Sequence, residues 1–333
     1  MPASLPAPPS SGGQFREAVK HRIPPSCPLG CRQSLLRPYF RNAANPLIQC
    51  EQCSMVFVYP RLSRAQIESQ YSCAYFQKKY EHLTDSGYVS PEFSRQKMMD
   101  CLLRATSLCR SLNGKPGTIL DVGCGTGRFL ELAQEKGWRT LGLELSKGVA
   151  ENTAQRLGSQ VYVGSILEAG LPDQYVDVVT LFDVIEHLED PVRGLQVCHR
   201  VLKPGGAIVL TTPNFNGIGR RLVGESAFGI WPDEHLQYFQ PSTLRRAFRA
   251  AGFERIQLLT REVFAENAGM LISRLRGRSE TISRMPTGTE ESVLGVKSMV
   301  RGNRLLRITR SVVNHFFAHV LWGDDLVAFA VRT

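Results

Sequence analysis

From residue 118 onward, short apolar runs alternate with longer stretches whose apolar residues recur every three or four positions. The short runs predict buried strands and the longer stretches amphipathic helices. Strands are expected at Thr118–Val122, Thr140–Glu144, Gln160–Val163, Val176–Phe182, Ala207–Thr212, Phe253–Leu259 and Asp325–Val331. Between them, Phe129–Lys136 reads as a helix, Ser146 can cap the next, and Asp190-Pro191 supplies an N-cap and a first-turn proline for a third. Pro241–Gly252 is a fourth, with Gly252 as its stop signal. Strand alternating with helix predicts an α/β fold around a parallel sheet.

Upstream the pattern is different. Residues 1–24, rich in Pro, Ser, Ala and Gly, read as a disordered leader. Leu35–Phe40 is a strand that Pro38 confines to an edge, and Ser54–Tyr59 is a clearer one. Residues 63–114 read as a mostly helical lid or linker, in which Ser63 can cap a first helix and Arg95–Arg104 has helical spacing. Its Tyr75, Phe76 and Tyr80 are candidates to cover a pocket or to pack a helix. A second irregular region, about 265–322, separates the last two strands of the main domain, 115–333.

Composition adds four points. The 333 residues, 43% hydrophobic, suffice for one large α/β domain with appendages. No run of about 18 apolar residues occurs, so no membrane-spanning helix is expected, and the N-terminus has no apolar core of a signal peptide. The nine cysteines are scattered. Without a secretion signal they imply a reducing cytoplasm. The net charge of +10 is concentrated in Met270–Ser311, where nine Lys or Arg face three Glu. No basic stripe with interleaved aromatics lies near the motifs below, so nucleic acid is not an expected partner. Met299–Val320 carries apolar residues at helical spacing with Arg301, Arg304, Arg307 and Arg310 between them. It can lie on an anionic membrane, or cover the core with its arginines in water.

The chemistry centres on Asp121-Val-Gly123-Cys124-Gly125-Thr-Gly127, where a strand runs through three glycines into a helix. Glycine there permits positive φ and lets a ligand approach the backbone. Glu144, 23 positions after Asp121 at the end of the second strand, is placed to accept hydrogen bonds from ribose hydroxyls. By itself the loop could serve any nucleotide. Further along, the fourth strand runs into Phe182-Asp183-Val-Ile-Glu186-His187, and the fifth ends in Thr211-Thr212-Pro213-Asn214. Near the amino end, Cys27-Pro-Leu-Gly-Cys31 and Cys50-Glu-Gln-Cys53 stand eighteen residues apart. Two cysteine pairs on two turns can bind zinc tetrahedrally through four thiolates.

Asp121 with the GxGxG loop resembles motif I of the class I S-adenosylmethionine (SAM) methyltransferases. The block 183–191 resembles the DVxEHxxDP segment of small-molecule members related to the ubiquinone-pathway O-methyltransferases, as do Leu202-Lys-Pro-Gly-Gly206 and Thr211–Asn214. His235–Phe239 is similar to the family's HxxxF segment near the acceptor. The resemblance implies a Rossmann-like, seven-stranded α/β fold and SAM as cofactor. It implies cofactor contacts from Asp121, Gly123, Cys124, Gly125, Gly127, Glu144, Ile166, Phe182 and Asp183. His187 and His235 are then the candidate catalytic bases. In relatives the acids and histidine of the EH block can hold a divalent cation, which here implies Mg²⁺ at Asp183, Glu186 and His187. Residues 25–62 resemble the zinc-ribbon module that precedes many such enzymes, with CPLGC in place of the usual CPxCG. The acceptor is expected to be a small molecule methylated on oxygen: a hydroxylated ring, quinone precursor or sugar. Carbon methylation of a nucleotide-linked sugar, and a non-catalytic SAM-fold binding module, are the alternatives.

Overall fold

The computed structural model describes residues 26–32, 35–40, 46–60, 91–112, 115–262, 267, 271 and 320–333. The leader, Tyr75, Phe76 and Tyr80, and the basic segment from Met299 to Arg310 lie outside the described residues.

Three short strands come first: β1 (Leu36–Phe40), β2 (Leu47–Cys50) and β3 (Val56–Val58). Helix α1 (Pro91–Leu108) leads into β4 (Thr118–Val122), α2 (Arg128–Glu135), β5 (Arg139–Glu144), α3 (Lys147–Leu157) and β6 (Gln160–Val163). The chain continues through β7 (Val176–Phe182), α4 (Pro191–Val201), β8 (Leu202–Pro213), α5 (Ile218–Val223) and β9 (Gln237–Tyr238). It ends with α6 (Pro241–Ala250), β10 (Arg255–Arg261) and β11 (Asp325–Val331).

Seven strands form one sheet in the order β10-β11-β8-β7-β4-β5-β6. The pairs β4–β5, β5–β6, β4–β7 and β7–β8 are parallel, and β11 runs antiparallel to both β8 and β10. The connections step outward from β4 to β6 on one side, then return to start β7 on the other. That reversal opens a crevice beyond the carboxyl ends of β4 and β7, where open α/β sheets bind ligands.

The central strands are apolar on both faces, as a sheet covered twice requires. On β4, β7, β8 and β11, alternate residues sort between two cores. Ile119, Val178, Val209 and Val327 pack with α1 and α2 through Leu102, Phe129 and Leu132. Leu120, Leu181, Leu210 and Leu326 face the opposite core with Leu195 of α4 and Leu244 of α6. The helix ends follow local rules. The Asp190 carboxylate accepts from the Arg193 amide at 2.9 Å with Pro191 in the first turn of α4. Gln240 and Thr243 form a capping box at α6. Ser146 precedes α3, but its side chain makes no capping bond; its amide goes to Glu144 instead.

The cysteine-bearing segment does not stand apart. Its strands extend into a four-stranded antiparallel sheet in the order β1-β2-β3-β9, whose last strand comes from beyond β8. Val56 pairs with Tyr238 and Phe57 with Gln237. The Val58 amide also donates to the Leu236 carbonyl at 3.0 Å. Leu29, Ile48, Met55 and Phe57 belong to the same apolar cluster as Phe239, Leu244 and the sheet face above. β1 sits at the edge, where Pro38 costs no ladder bond.

Candidate active site

The glycine loop turns at the carboxyl end of β4. Gly123, Gly125 and Gly127 have φ of 69°, 51° and 74°, all in the left-handed region. Its first amides are used internally. Gly123 and Cys124 donate to the Leu143 carbonyl at 2.7 and 3.1 Å, and Gly125 donates to Glu144 Oε2 at 3.0 Å. Glu144 Oε1 accepts from the Ser146 amide at 2.9 Å. A pyrophosphate would need those N–H groups for itself. Two acids lie beneath the loop instead, and both are buried. Asp121 accepts from the Thr180 hydroxyl of neighbouring β7 at 2.5 Å. Burial, partly offset by that bond and reinforced by the charge of Glu144, pushes the Asp121 carboxyl up to about 7. Burial likewise raises Glu144, against the pull of its backbone donors. Two neighbouring carboxylates make a site for a ligand rich in donors or positive charge and repel a phosphate.

Cys124 lies under the loop, where burial raises its thiol. A Cβ at Gly142 would come within 2.8 Å of its Sγ, so glycine at 142 makes the room. Ile166 is buried, and Phe182 packs edge-on against Phe129 with centroids 4.9 Å apart.

The second cluster follows β7. Asp183 has φ of 54°, a conformation non-glycine residues rarely hold. Its amide and carboxylate both engage Thr211 of β8, the Oδ1 accepting from the hydroxyl at 2.9 Å. Desolvation raises this carboxyl, with the Thr211 bond and Lys97 opposing. Residues 185–187 form one turn of 3-10 helix, not an α-helix, so Asp183 and His187 do not share a face. The group that converges is Glu186, His187 and His235, whose ligand atoms lie within 4.8 Å of one another. The two imidazoles meet edge to face at 4.8 Å. His187 Nδ1 is 2.9 Å from the Glu234 carbonyl, and His235 Nδ1 is 2.9 Å from the Gly229 carbonyl. A carbonyl only accepts, so each Nδ1 carries the proton and each Nε2 is the basic nitrogen of the neutral ring. Glu186 is buried; Oε2 accepts from Thr212 at 3.0 Å, and Oε1 has no hydrogen-bond partner among the described residues. Burial and the nearby Asp183 charge raise its carboxyl well above the usual range.

The four cysteines of the ribbon also converge. All four Sγ atoms lie within 4.8 Å of one another, and Cys27 and Cys53 are 3.5 Å apart. Zinc bonds of about 2.3 Å at tetrahedral angles place sulfurs roughly 3.8 Å apart, so the donor set fits that ion. The added residue in CPLGC is taken up by a tight turn, with the Gly30 amide donating to the Cys27 carbonyl at 2.9 Å. The Cys53 thiol bonded to Cys27 holds it down at about 5, and burial pushes Cys31 up to about 11.

This arrangement has relatives. Residues 92–258 match a protein-family model described as a methyltransferase domain. The chain belongs to the methyltransferase domain family. A ubiquinone biosynthesis O-methyltransferase of Idiomarina loihiensis is 35% identical over 153 residues, 42% of this chain and 63% of that protein. A probable S-adenosylmethionine-dependent methyltransferase of Mycolicibacterium smegmatis is 39% identical over 97 residues, 29% of this chain and 38% of that one. The chain thus spans less than two thirds of these curated relatives. The solved structure of Haemonchus contortus phosphoethanolamine N-methyltransferase 2 in complex with S-adenosyl-L-methionine superposes with a TM-score of 0.52 at 17% identity. It covers 83% of this chain and 61% of that one, a likeness of fold alone.

For a methyltransferase-domain chain, the sequence motifs located the loop, both acids and the two histidines. They did not indicate the bonds that Thr180, Thr211 and Thr212 make to Asp121, Asp183 and Glu186. Parallel pairing brings these hydroxyls to the acids, and only the TTPN motif hinted at the last two.

Proposed function

We propose that the protein is a SAM-dependent methyltransferase that methylates an oxygen of a small hydroxylated acceptor. The observation that carries this reading is the pair of buried acids under a glycine loop whose first amides are already spent. That site suits a cationic, donor-rich cofactor with no phosphate. Glu144 would take the ribose hydroxyls and Asp121 the amino-acid end, with the loop glycines against the backbone of the ligand. Ile166 would contact the adenine through its backbone, and Phe182 and Asp183 would border the reacting end.

When bound, SAM supplies an electrophilic methyl group on a sulfonium. The chain must then hold an acceptor oxygen in line and take its proton. Orientation of this kind is worth up to about 7–11 kcal/mol, and a general base adds about 10²–10⁴-fold. His187 and His235 each present a basic Nε2, because carbonyls hold both Nδ1 protons. His187, half-buried, is the better-placed base; His235 is buried and supports it. A divalent cation is a second reading for this cluster, favoured by the converging Glu186, His187 and His235, in place of the set that included Asp183. Likeness to ubiquinone-pathway O-methyltransferases supports oxygen as the methylated atom. The four ribbon thiols are assigned to a structural zinc, because four protein ligands close its coordination sphere.

Titration calorimetry with S-adenosylhomocysteine tests the core of the proposal. Binding to the full chain is expected, and its absence would remove the methyltransferase reading. Product assays after chelator treatment decide the cation: unchanged turnover leaves His187 as a base and not a ligand.

A further inference from the structure

Asp325 opens β11 at the carboxyl end of β8, paired with Pro213 on one side and with Arg261 of β10 on the other. Side chains two apart on a strand share a face. Asp325 therefore stands on the face of Val327 and Phe329, which pack with Leu102 of α1. Thr211, paired with Val327, is on that face too, and its hydroxyl holds the Asp183 carboxylate. The two acids thus share one face at the end of the sheet, on strands with only β8 between them. Asp325 is 8% exposed, and its carboxylate accepts no hydrogen bond among the described residues. Its oxygens are not sealed in, so they border open space at the sheet end. Buried polar groups are paired almost without exception. A carboxylate this buried, open on one side and without a donor, calls for a donor from a ligand.

The surrounding charges say which kind. Lys97 of α1 is bonded to Glu262 at 2.6 Å, and the Arg261 guanidinium donates to the Lys97 carbonyl at 3.5 Å. Burial pushes the Asp325 carboxyl up to about 8; Lys97 and Arg261 pull against it, and the charges of Asp183 and Glu262 reinforce it. Glu186 is raised by burial and by both Asp183 and Asp325, with only its own amide and Thr212 opposing. Four acids therefore face two cations, and one of those is already paired with an acid. Such a crevice repels an acidic acceptor and favours a cation. A metal ion is a poor match for Asp325: among the described residues the ligand atoms that converge within 4.8 Å are those of Glu186, His187 and His235, without Asp183 or Asp325. Nor does Asp325 belong to the glycine loop. In the order β11-β8-β7-β4 it is three strands from Asp121, about 14 Å at the usual strand spacing.

Resting on the methyltransferase reading above, we propose that Asp325, with Asp183 on the same face, binds a protonated amine of the methyl acceptor. An ammonium brings N–H donors to a carboxylate that has none, and charge-assisted contacts of this kind are roughly twice as strong as neutral ones. β7, which leads into His187, lies about 10 Å from β11 across β8. Amine and hydroxyl therefore stand apart on the acceptor by about the length of a phenol with an aminoalkyl arm. The acceptor is a hydroxylated amine of that class, not a neutral ring or an acid.

Calorimetric titration of the full chain with tyramine, p-ethylphenol and p-hydroxyphenylpropionate tests this, with S-adenosylhomocysteine titrated in parallel. The three share a phenol ring and differ in the charge of the arm. Tyramine is expected to bind at least about tenfold more tightly than p-ethylphenol, as a charge-assisted contact predicts, and the propionate more weakly than either. Asp325→Asn should bring tyramine to within about twofold of p-ethylphenol, while S-adenosylhomocysteine affinity holds within about twofold. The comparison of the amine with its neutral counterpart needs no variant, so the test stands should Asp325→Asn fold poorly. Equal binding of tyramine and p-ethylphenol, or a preference for the amine that survives Asp325→Asn, overturns the subsite. So does failure of tyramine to bind. Loss of S-adenosylhomocysteine binding alone, with tyramine still held through Asp325, would sink the cofactor reading and not this one.

Discussion

Replacing Asp121 by Asn separates what the buried acid costs the fold from what it does for a ligand. An ordinary aspartate titrates near 3.8, and burial pushes this one up to about 7. Below pH 3.8 both the folded and unfolded forms are protonated and the acid has no effect. Between 3.8 and about 7 the unfolded chain ionises while the fold retains the proton, so stability falls as pH rises. Above about 7 the penalty is complete and constant. A tenfold change in proton affinity is worth about 1.4 kcal/mol, so the full penalty is at most about 4 kcal/mol. Glu144 shares that repulsion and the surroundings relax, so about 2 kcal/mol is a reasonable recovery for the variant. The amide keeps an oxygen for the Thr180 hydroxyl, and the volume is unchanged. Asp121→Asn should therefore raise the melting temperature of the ligand-free protein by about 4 °C at pH 8 and leave it nearly unchanged at pH 4. S-adenosylhomocysteine affinity should fall by about tenfold or more at pH 8, as expected for loss of a charged acceptor. Scanning calorimetry at both pH values with parallel titration reads both effects. A variant destabilised at pH 8, or one that binds the ligand as tightly as wild type, would refute the assignment.

Three further outcomes follow from the geometry. Gly142→Ala should destabilise by about 1–3 kcal/mol in chemical unfolding, because its methyl meets Cys124 Sγ at 2.8 Å, and adding Cys124→Ala should restore most of the loss. Elemental analysis of the purified chain should find one zinc per chain, lost in Cys53→Ser, and the same substitution should lower acceptor affinity more than cofactor affinity because β3 carries β9. His187→Ala should cut turnover by about 10²–10⁴-fold with S-adenosylhomocysteine binding preserved; unchanged turnover would mean the imidazole is structural.

The division of labour between sequence and fold follows from the range of the forces involved. Alternating strand and helix patterns, the glycines with positive φ, and the Asp190-Pro191 and Gly252 helix signals depend on residues a few positions apart, so they are legible along the chain. So is the position of Glu144, since one helical connection separates it from Asp121. The backbone of the EH block was not legible in this way: it makes a 3-10 turn with Asp183 in a left-handed conformation.

Contacts set by sheet order were another matter. Thr180 reaches Asp121 because β7 pairs with β4 across 59 residues, and the Glu186 carboxyl is raised because the surrounding packing excludes water. The pairing of β3 with β9, which ties the ribbon to the main domain, joins residues some 180 positions apart, the same separation as the 181 between Tyr39 and Arg220. The sequence by itself determined the class of fold and the cofactor loop, because both are built from local hydrogen bonding and short connections. Tertiary structure alone decided which acids are buried, which histidine nitrogens face carbonyls, and which threonine meets which acid, because burial and long-range pairing are properties of the assembled chain.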